Sequence, residues 1–232
     1  MSMPAPAMER PVAEHPPQVR SQFMTRVYLR LIAGIAGFIA IEYVLFATGI
    51  AAAITEVVVA TNWLIILGGF MIVSWMANSL GLRASTPAAQ FSAYGLLVAA
   101  NALLFAAPLY IAANTPQLEG TITTAAQISL FAFAALSAIA IRSSRDFTFL
   151  RPLLMWGGVL ALALIVGSVL FGANLGTWFS VAMIGFAGAA ILYETQTIYR
   201  SYPPNREVAA SMALFASIAL LFWYVLQLLM RR

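Results

Sequence analysis

Two acidic residues, Glu42 and Glu194, lie inside long apolar stretches of this chain. A charge in the hydrocarbon of a bilayer costs about 3 kcal/mol or more, so a carboxyl group at that depth is by default a candidate functional group. Apolar surroundings favour the neutral carboxyl form. We therefore expect each of these side chains to bind a proton and to become a hydrogen-bond donor when it does so. The structural alternatives are a hydrogen-bonded lock between helices for Glu42, and snorkelling or pairing with Arg200 or Arg206 for Glu194.

The residues needed for most other intramembrane chemistry are absent from the sequence. There is no cysteine and no lysine, which excludes disulfides, thiolate sites and a Schiff base of the retinal-protein type. Asp146 is the only aspartate and His15 the only histidine, so neither an aspartyl nor a rhomboid-type intramembrane protease fits. No HExxH or similar cluster of metal ligands occurs. We therefore expect a protein that is not an enzyme and has no cofactor and no metal site.

The elements that must position the two carboxyl groups are seven apolar runs. A helix needs about 20 apolar residues to cross the hydrocarbon core, and spanning segments must be helices or a closed barrel. The runs are too long for barrel strands, and the composition, 62% hydrophobic and 9% charged, agrees. We predict an all-α membrane protein, a seven-transmembrane-helix bundle, with spans at 27–50, 63–80, 91–112, 122–141, 152–172, 178–198 and 208–230.

Charge is divided sharply between the two ends of these spans. The connections on the N-terminal side carry ten arginines, whereas the opposite connections carry none and contain Glu56 and Glu119. The positive-inside rule predicts a multi-pass inner-membrane protein with a cytoplasmic N-terminus and an external C-terminus. Arg231 and Arg232 conflict with this orientation, so a re-entrant last helix is the alternative. The ten arginines are Arg10, Arg20, Arg26, Arg30, Arg83, Arg142, Arg145, Arg151, Arg200 and Arg206.

The first 22 residues differ in composition from the rest. They carry five prolines and few large apolar side chains, which predicts a disordered, proline-rich cytoplasmic tail over 1–22 and one membrane domain over 23–232. Arginines beside helix ends indicate contacts with the lipid bilayer and its anionic headgroups. We expect no nucleic-acid partner.

Three short motifs occur in a characteristic order. The sixth span contains Y-E-T-Q at 193–196, the turn before the fifth span reads R-D-F-T-F-L at 145–150, and the last span contains A-L-F-A-S-I-A-L-L-F at 213–222. Their order and spacing resemble those of the Bax inhibitor (transmembrane Bax inhibitor motif) family, as in a bacterial member. The resemblance runs from about residue 23 to 229. It implies a bundle in which the last helix is central and enclosed by the other six.

The same resemblance implies a site. Some family members are pH-sensitive calcium leak channels, in which acidic residues on the sixth and seventh helices share a proton and control a latch with an arginine of the second helix. Here Glu194 takes the first acid position, and the second falls on Ser217, which cannot ionise. The arginine position falls near Ala77, with Arg83 a turn and a half further on as a substitute. The expected gating and proton-sensing residues are Glu194, Ser217, Arg83, Arg200 and Glu42.

Two functions follow from these expectations. The first is a pH-sensitive ion leak channel gated around Glu194, with calcium or another cation as the permeant ion. Since calcium prefers six to eight oxygen ligands, the lack of a second acid weakens the case for calcium. The alternative is a non-conducting regulator of a membrane-bound, membrane-anchored protease or of membrane-protein quality control, a role linked to bacterial relatives that also lack the second acid. A secondary transporter with Glu42 as its proton carrier is a third option.

Overall fold

The computed structural model describes residues 10–84 and 86–231. Within these ranges, eight α-helices follow one another along the chain. Seven of them are long and apolar enough to cross a membrane, which confirms the seven predicted spans and the all-α fold class. The helices are α1 Pro17–Ala47, α2 Ile50–Ala60, α3 Trp63–Arg83, α4 Pro87–Asn114, α5 Thr121–Arg142, α6 Leu150–Phe171, α7 Gly176–Ser201 and α8 Glu207–Met230.

The helices begin and end at residues whose chemistry suits those positions. Pro17 and Pro87 lie in the first turns of α1 and α4, where a missing backbone N–H leaves no hydrogen bond unmade. Asn62 caps α3, because its side chain accepts a hydrogen bond from the backbone amide of Leu64 at 2.9 Å. Gly49, with φ of 76°, makes the left-handed turn into the short helix α2, an element that the pattern of spans does not predict.

The last helix, α8, is the centre of the bundle. It packs against α1, α3, α4, α5 and α7, and its Leu214, Leu221 and Leu226 side chains are almost completely buried. This confirms the predicted central position of the last span. Helix α6 is peripheral, because it packs against α7 and α3 and leaves its apolar residues on the outside. An outward apolar surface suits contact with lipid tails, which are as apolar as leucine.

Contacts between helix ends show which ends share a side of the bundle. On the side where α1 begins, called the N-terminal side below, Glu207 at the start of α8 lies beside Arg26 of α1. On the opposite side, Trp63 at the start of α3 stacks on Trp223 near the end of α8, with ring centroids 5.7 Å apart. Helix α8 is therefore continuous across the bundle, and its 24 residues are about 36 Å long.

This course of α8 bears on the arginine pattern. Arg231 follows the end of α8 and lies on the opposite side from the start of α1, and Arg232 lies outside the described residues. The re-entrant last helix is thus not the geometry of this chain. The ten other arginines lie in or near the ends and connections on the N-terminal side, as the sequence predicts.

The structure differs from the predicted tail over 1–22 in the part that it describes. Residues 1–9 lie outside the described residues, but a short 3-10 turn covers Val12–Glu14 and α1 begins at Pro17. The backbone amide of Val12 donates a hydrogen bond to the carbonyl oxygen of Tyr202 at 2.8 Å, and the Val12 side chain is completely buried. Burial of one apolar side chain and a pre-set proline φ explain why this segment is ordered despite its composition.

Candidate functional site

Glu194 lies on α7, two turns before the helix ends at Ser201 on the N-terminal side of the bundle. Its side chain is half-buried, and no hydrogen bond or ion pair to it occurs within residues 10–84 and 86–231. The charge of Glu194 influences Tyr202, in the connection between α7 and α8. Burial raises the pKa of Tyr202 to about 12, and the negative charge of Glu194 adds to the shift. Glu194 is therefore close enough to the α7–α8 connection for its charge to contribute to the pKa of Tyr202.

The other residues expected at the gate do not join Glu194 in a bonded cluster. Ser217 is buried on α8, but among the described residues it makes no hydrogen bond to Glu194. Arg83 is exposed at the end of α3. The Arg200 side chain, on α7, contacts the α5–α6 connection instead. Its Nη1 is 3.8 Å from Oδ1 of Asp146, and its Nη2 is 3.5 Å from the carbonyl oxygen of Arg145. Within the described part of the chain, neither Arg200 nor Arg206 forms the pair with Glu194 that the alternative proposes.

The residues that follow Glu194 connect α7 to its neighbours. The hydroxyls of Thr195 and Ser137, on α7 and α5, are 3.4 Å apart in a buried position. Gln196 donates from Nε2 to the carbonyl oxygen of Arg145 at 2.7 Å and accepts on Oε1 from the backbone amide of Phe147 at 2.6 Å. Two of the four residues in the Y-E-T-Q motif therefore fix α7 against α5 and against the R-D-F-T-F-L turn.

A cavity of about 630 Å³, called the polar cavity below, lies between α3, α4, α6, α7 and α8. It extends along α3 from Trp63 to Asn78, fifteen residues or about 22 Å. The Asn101 side chain bonds back to the carbonyl oxygen of Leu97 at 2.8 Å, and the buried hydroxyl of Ser74 has no hydrogen-bond partner among the described atoms. The polar residues that line the cavity are Ser74, Asn78, Asn101, Ser168, Asn174, Ser180, Tyr224, Gln227 and Arg231.

Beyond Asn78, toward the N-terminal side, side chains of α8 and of the preceding connection fill the space next to α3. Met212 packs so tightly on Gly81 that a Cβ added at Gly81 would lie 2.8 Å from its sulfur. Arg206 donates a hydrogen bond from Nη1 to the carbonyl oxygen of Leu82. The side chain that bonds to the end of α3 is thus that of Arg206.

Glu42 lies in a second, separate cavity of about 420 Å³ between α1, α4, α5 and α8, called the apolar cavity below. Its side chain is only 7% exposed, and neither carboxyl oxygen has a hydrogen-bond partner within the described part of the chain. The hydroxyl of Ser129, which also lines this cavity, is buried and unpartnered as well. The hydrogen-bonded lock considered for Glu42 is therefore not formed. Glu42 and Glu194 belong to two different sites.

Comparison with known proteins decides the family. A family model described as "Inhibitor of apoptosis-promoting Bax1" matches residues 20–232, nearly the whole chain. The chain belongs to the Bax inhibitor family. A search of curated proteins and a search of solved structures each returned no match. Among the residues that the structure of this Bax inhibitor family protein describes, no three acidic or histidine side chains come together to hold a metal ion.

The Bax inhibitor family protein also has a charged contact that the sequence did not predict. Glu207, the first residue of α8, lies 3.1 Å from Nη1 of Arg26 and 3.6 Å from Nη2 of Arg30. The Ser211 hydroxyl, one turn later, donates to the carbonyl oxygen of Val27 at 2.9 Å. A carboxylate in the first turn also interacts favourably with the helix dipole. The available signal was the spacing of Arg26 and Arg30, four residues apart on one face of α1.

Proposed function

We propose that this Bax inhibitor family protein is a pH-sensitive cation leak channel whose pathway runs through the polar cavity and is gated around Glu194. The observation that carries the proposal is the cavity itself. The cavity runs for about 22 Å beside the central helix, and eight uncharged polar side chains interrupt its mainly apolar lining. Polar groups at this depth are tolerated mainly where they pair with one another or line water.

The lining chemistry bears on the permeant ion. Serine, asparagine and glutamine offer neutral oxygens to a cation, but none of the described residues that line the polar cavity is acidic. Calcium is held best by several carboxylates, so we propose a weakly selective cation leak in which calcium is one permeant ion among others. Arg231 lies at the exposed rim on the side opposite the N-terminus, where salt screens its charge.

The proposed gate is the packed layer between Asn78 and the N-terminal side. Met212 against Gly81 and Arg206 against the carbonyl of Leu82 occupy this layer. Glu194 acts on the connection that carries Arg206, as its effect on Tyr202 indicates. When Glu194 takes up a proton, that connection loses a neighbouring negative charge. In the proposed mechanism, the loss shifts the connection and withdraws Arg206 from α3.

The orientation of the channel belongs to the same proposal. Ten arginines lie on the N-terminal side, so the positive-inside rule places this side, and with it Glu194, in contact with the cytoplasm of a cell with an inner membrane. A fall in cytoplasmic pH would then be the signal that opens the leak. Neither step involves covalent chemistry, and we propose that the protein is not an enzyme.

Flux measurements on liposomes that contain the purified protein test the proposal. Cation flux should rise as the pH on the N-terminal side falls, and Glu194→Gln should remove this dependence, since an amide carries no titratable proton. Glu119→Gln is the matched control, because Glu119 is exposed on the opposite side and should leave the profile unchanged. Arg206→Gln should raise the flux at neutral pH. An unchanged pH profile in a well-folded Glu194→Gln protein would show that the gate lies elsewhere.

The alternative, a non-conducting regulator of a membrane-bound protease or of membrane-protein quality control, is favoured by one feature. Helix α6 packs on one edge of the bundle and leaves Trp156, 68% exposed, on its outer face. A photoreactive amino acid at Trp156 should then crosslink to a protease or another membrane protein in cells. The same group at Tyr43, which is 73% exposed on α1, is the control for random lipid-facing contacts. Equal crosslinking at both positions, together with robust flux, would reject the regulator.

A further inference from the structure

We propose that the apolar cavity around Glu42 binds a lipophilic organic cation, such as an amine or quaternary ammonium with aromatic or alkyl groups, and that the Glu42 carboxylate is its counter-ion. This site is independent of the proposed leak. It lies between α1, α4, α5 and α8, whereas the polar cavity lies on the other side of α8 and α4. Phe105 and Ala219 line both cavities and so form the wall between them.

The cavity walls suit an apolar body. Phe38, Phe105, Phe222 and Phe215 contribute aromatic rings, and aliphatic side chains complete the lining. Phe105 and Phe222 stack with ring centroids 5.3 Å apart, and Phe38 meets Phe105 edge to face at 5.4 Å. The faces of aromatic rings attract organic cations through their quadrupoles. The walls therefore favour a hydrophobic cation over a strongly hydrated inorganic ion.

The unpartnered polar groups of the cavity favour a positively charged ligand. Both carboxyl oxygens of Glu42 lack a hydrogen-bond partner, and so does the hydroxyl of Ser129 across the cavity on α5. Buried polar atoms in proteins are normally satisfied. A protonated amine would donate hydrogen bonds to Glu42 and to Ser129, whereas a quaternary ammonium would supply only the missing opposite charge. Among the described residues that line the cavity, Glu42 is the only titratable one, and α4, α5 and α8 contribute none.

Entry from the bilayer follows from the exposed edge of the cavity. Ile39 on α1 and Leu130 on α5 line it and are 60% and 49% exposed on the outside of the bundle. Such a gap between two spans faces lipid tails rather than water. A lipophilic cation concentrates in the membrane and reaches Glu42 laterally.

Binding of a cation changes the protonation of the Glu42 carboxyl by one proton. In the empty cavity the carboxyl is neutral, because an isolated charge in apolar surroundings is unfavourable. A permanent cation pairs with the carboxylate, and the carboxyl proton passes to water, so one proton is released for each cation bound. A neutral amine that arrives through the lipid takes that proton on its nitrogen instead. Binding of a permanent cation should therefore tighten by up to about tenfold for each pH unit while the empty site remains protonated.

The experiment uses the full-length protein in nanodiscs of zwitterionic lipid with radioactive tetraphenylphosphonium as the probe, and empty nanodiscs as the background. Glu42→Gln should weaken binding by about tenfold or more and abolish its pH dependence, since the amide cannot pair with the cation. Ser129→Ala should change binding by less than about threefold, because this probe has no N–H donor. Glu194→Gln should bind like the wild type, which separates this site from the leak.

Two results would overturn the proposal. One is equal binding of tetraphenylphosphonium by the wild type and by Glu42→Gln. The other is binding of neutral triphenylphosphine oxide as tight as that of tetraphenylphosphonium and independent of pH, which would indicate a lipid-filled cavity. If Glu42→Gln fails to fold, proton release on binding to the wild type decides the matter, measured by calorimetry in buffers of different ionisation enthalpy. Release near one proton supports the proposal, and zero release contradicts it. Ala126→Phe, which places a ring in the cavity, should block binding.

Discussion

Gln196 shows how much one polar side chain can do at the end of a membrane helix. Its amide group bonds in both directions to the backbone of the α5–α6 connection, at 2.7 and 2.6 Å. An amide can do this because it donates and accepts through one planar group. The following helix, α6, makes few contacts with the rest of the bundle, so these two bonds are a main attachment of the segment that leads into it.

Removing this amide should loosen the α5–α6 connection. Gln196→Leu loses both bonds and should lower the free energy of unfolding by about 1–3 kcal/mol. Hydrogen exchange at the Phe147 amide should rise, because this N–H loses its acceptor. Gln196→Glu keeps an acceptor but no donor, and should fall between Leu and the wild type. Thr197→Val is the control, and protection of Phe147 that stays at the wild-type level in Gln196→Leu would contradict this role.

Tyr202 reports on the charge of Glu194. Burial, and then the charges of Glu194 and Tyr193, raise the pKa of Tyr202 from 10.0 to about 12. The neutral phenol is therefore favoured in the folded state. The stability that this difference provides is fully present below pH 10 and is lost as the pH rises from there through about 12.

The substitution Glu194→Gln should lower the pKa of Tyr202, because one of the neighbouring negative charges is removed. That pKa should stay above 10.0, since burial is the larger cause and does not change. The ultraviolet absorbance of tyrosinate during an alkaline titration measures it, with Tyr202→Phe to identify the signal. Glu119→Gln should leave the titration as it is. Identical titrations in wild type and Glu194→Gln would mean that Glu194 lies too far from the connection to control it.

At the scale of helices, the contact between α1 and α4 depends on one glycine. A Cβ added at Gly34 would lie 2.0 Å from the hydroxyl oxygen of Tyr94 and 2.5 Å from its Cζ. The same hydroxyl donates to the carbonyl oxygen of Arg30 at 3.2 Å. The ring of Tyr94 also meets Phe215 of α8 edge to face, so it has little freedom to move away. Close approach of the two helices therefore requires glycine at this position.

Gly34→Ala should destabilise the protein by about 1–3 kcal/mol, the usual range for overpacking. Gly37→Ala, one turn later on the same helix, is the matched control, because the nearest atom to its added Cβ is 3.8 Å away, an ordinary contact. That control should be neutral or up to about 1 kcal/mol more stable, since alanine favours helix. Thermal unfolding in one detergent compares the two. Equal effects would show that α1 and α4 can separate without loss.

These helix contacts mark the limit of what could be predicted from the sequence. Gly34 and Gly37 look alike in an apolar run, and only the position of the Tyr94 ring distinguishes them. The spans themselves were predictable, because lipid demands long apolar helices whatever their neighbours are. Helix α2 was not, since its 11 residues are too few to span and its pattern continues that of α1.

For the molecule as a whole, the sequence predicted the central last helix through family resemblance, and the rare acids Glu42 and Glu194 through their cost in lipid. It did not predict the partners of charged groups. Arg206, Glu207 and Arg200 bond to groups 55 to 181 residues away in the chain, and such pairings depend on helix rotation and on connection geometry. The two cavities on different sides of α8 could not be predicted from the sequence either, because a cavity depends on how the side chains pack.

The uninterrupted course of α8 has a mechanical consequence. Glu207 at one end is held by Arg26 and Arg30, and Trp223, sixteen residues or about 24 Å further, stacks on Trp63. A packed helix is nearly incompressible along its axis, so displacement at one membrane surface arrives almost undiminished at the other. Helix α8 therefore connects the two ends of the bundle mechanically. Breaking the ion pairs of Glu207 should change the indole fluorescence of the Trp63–Trp223 pair at the opposite end.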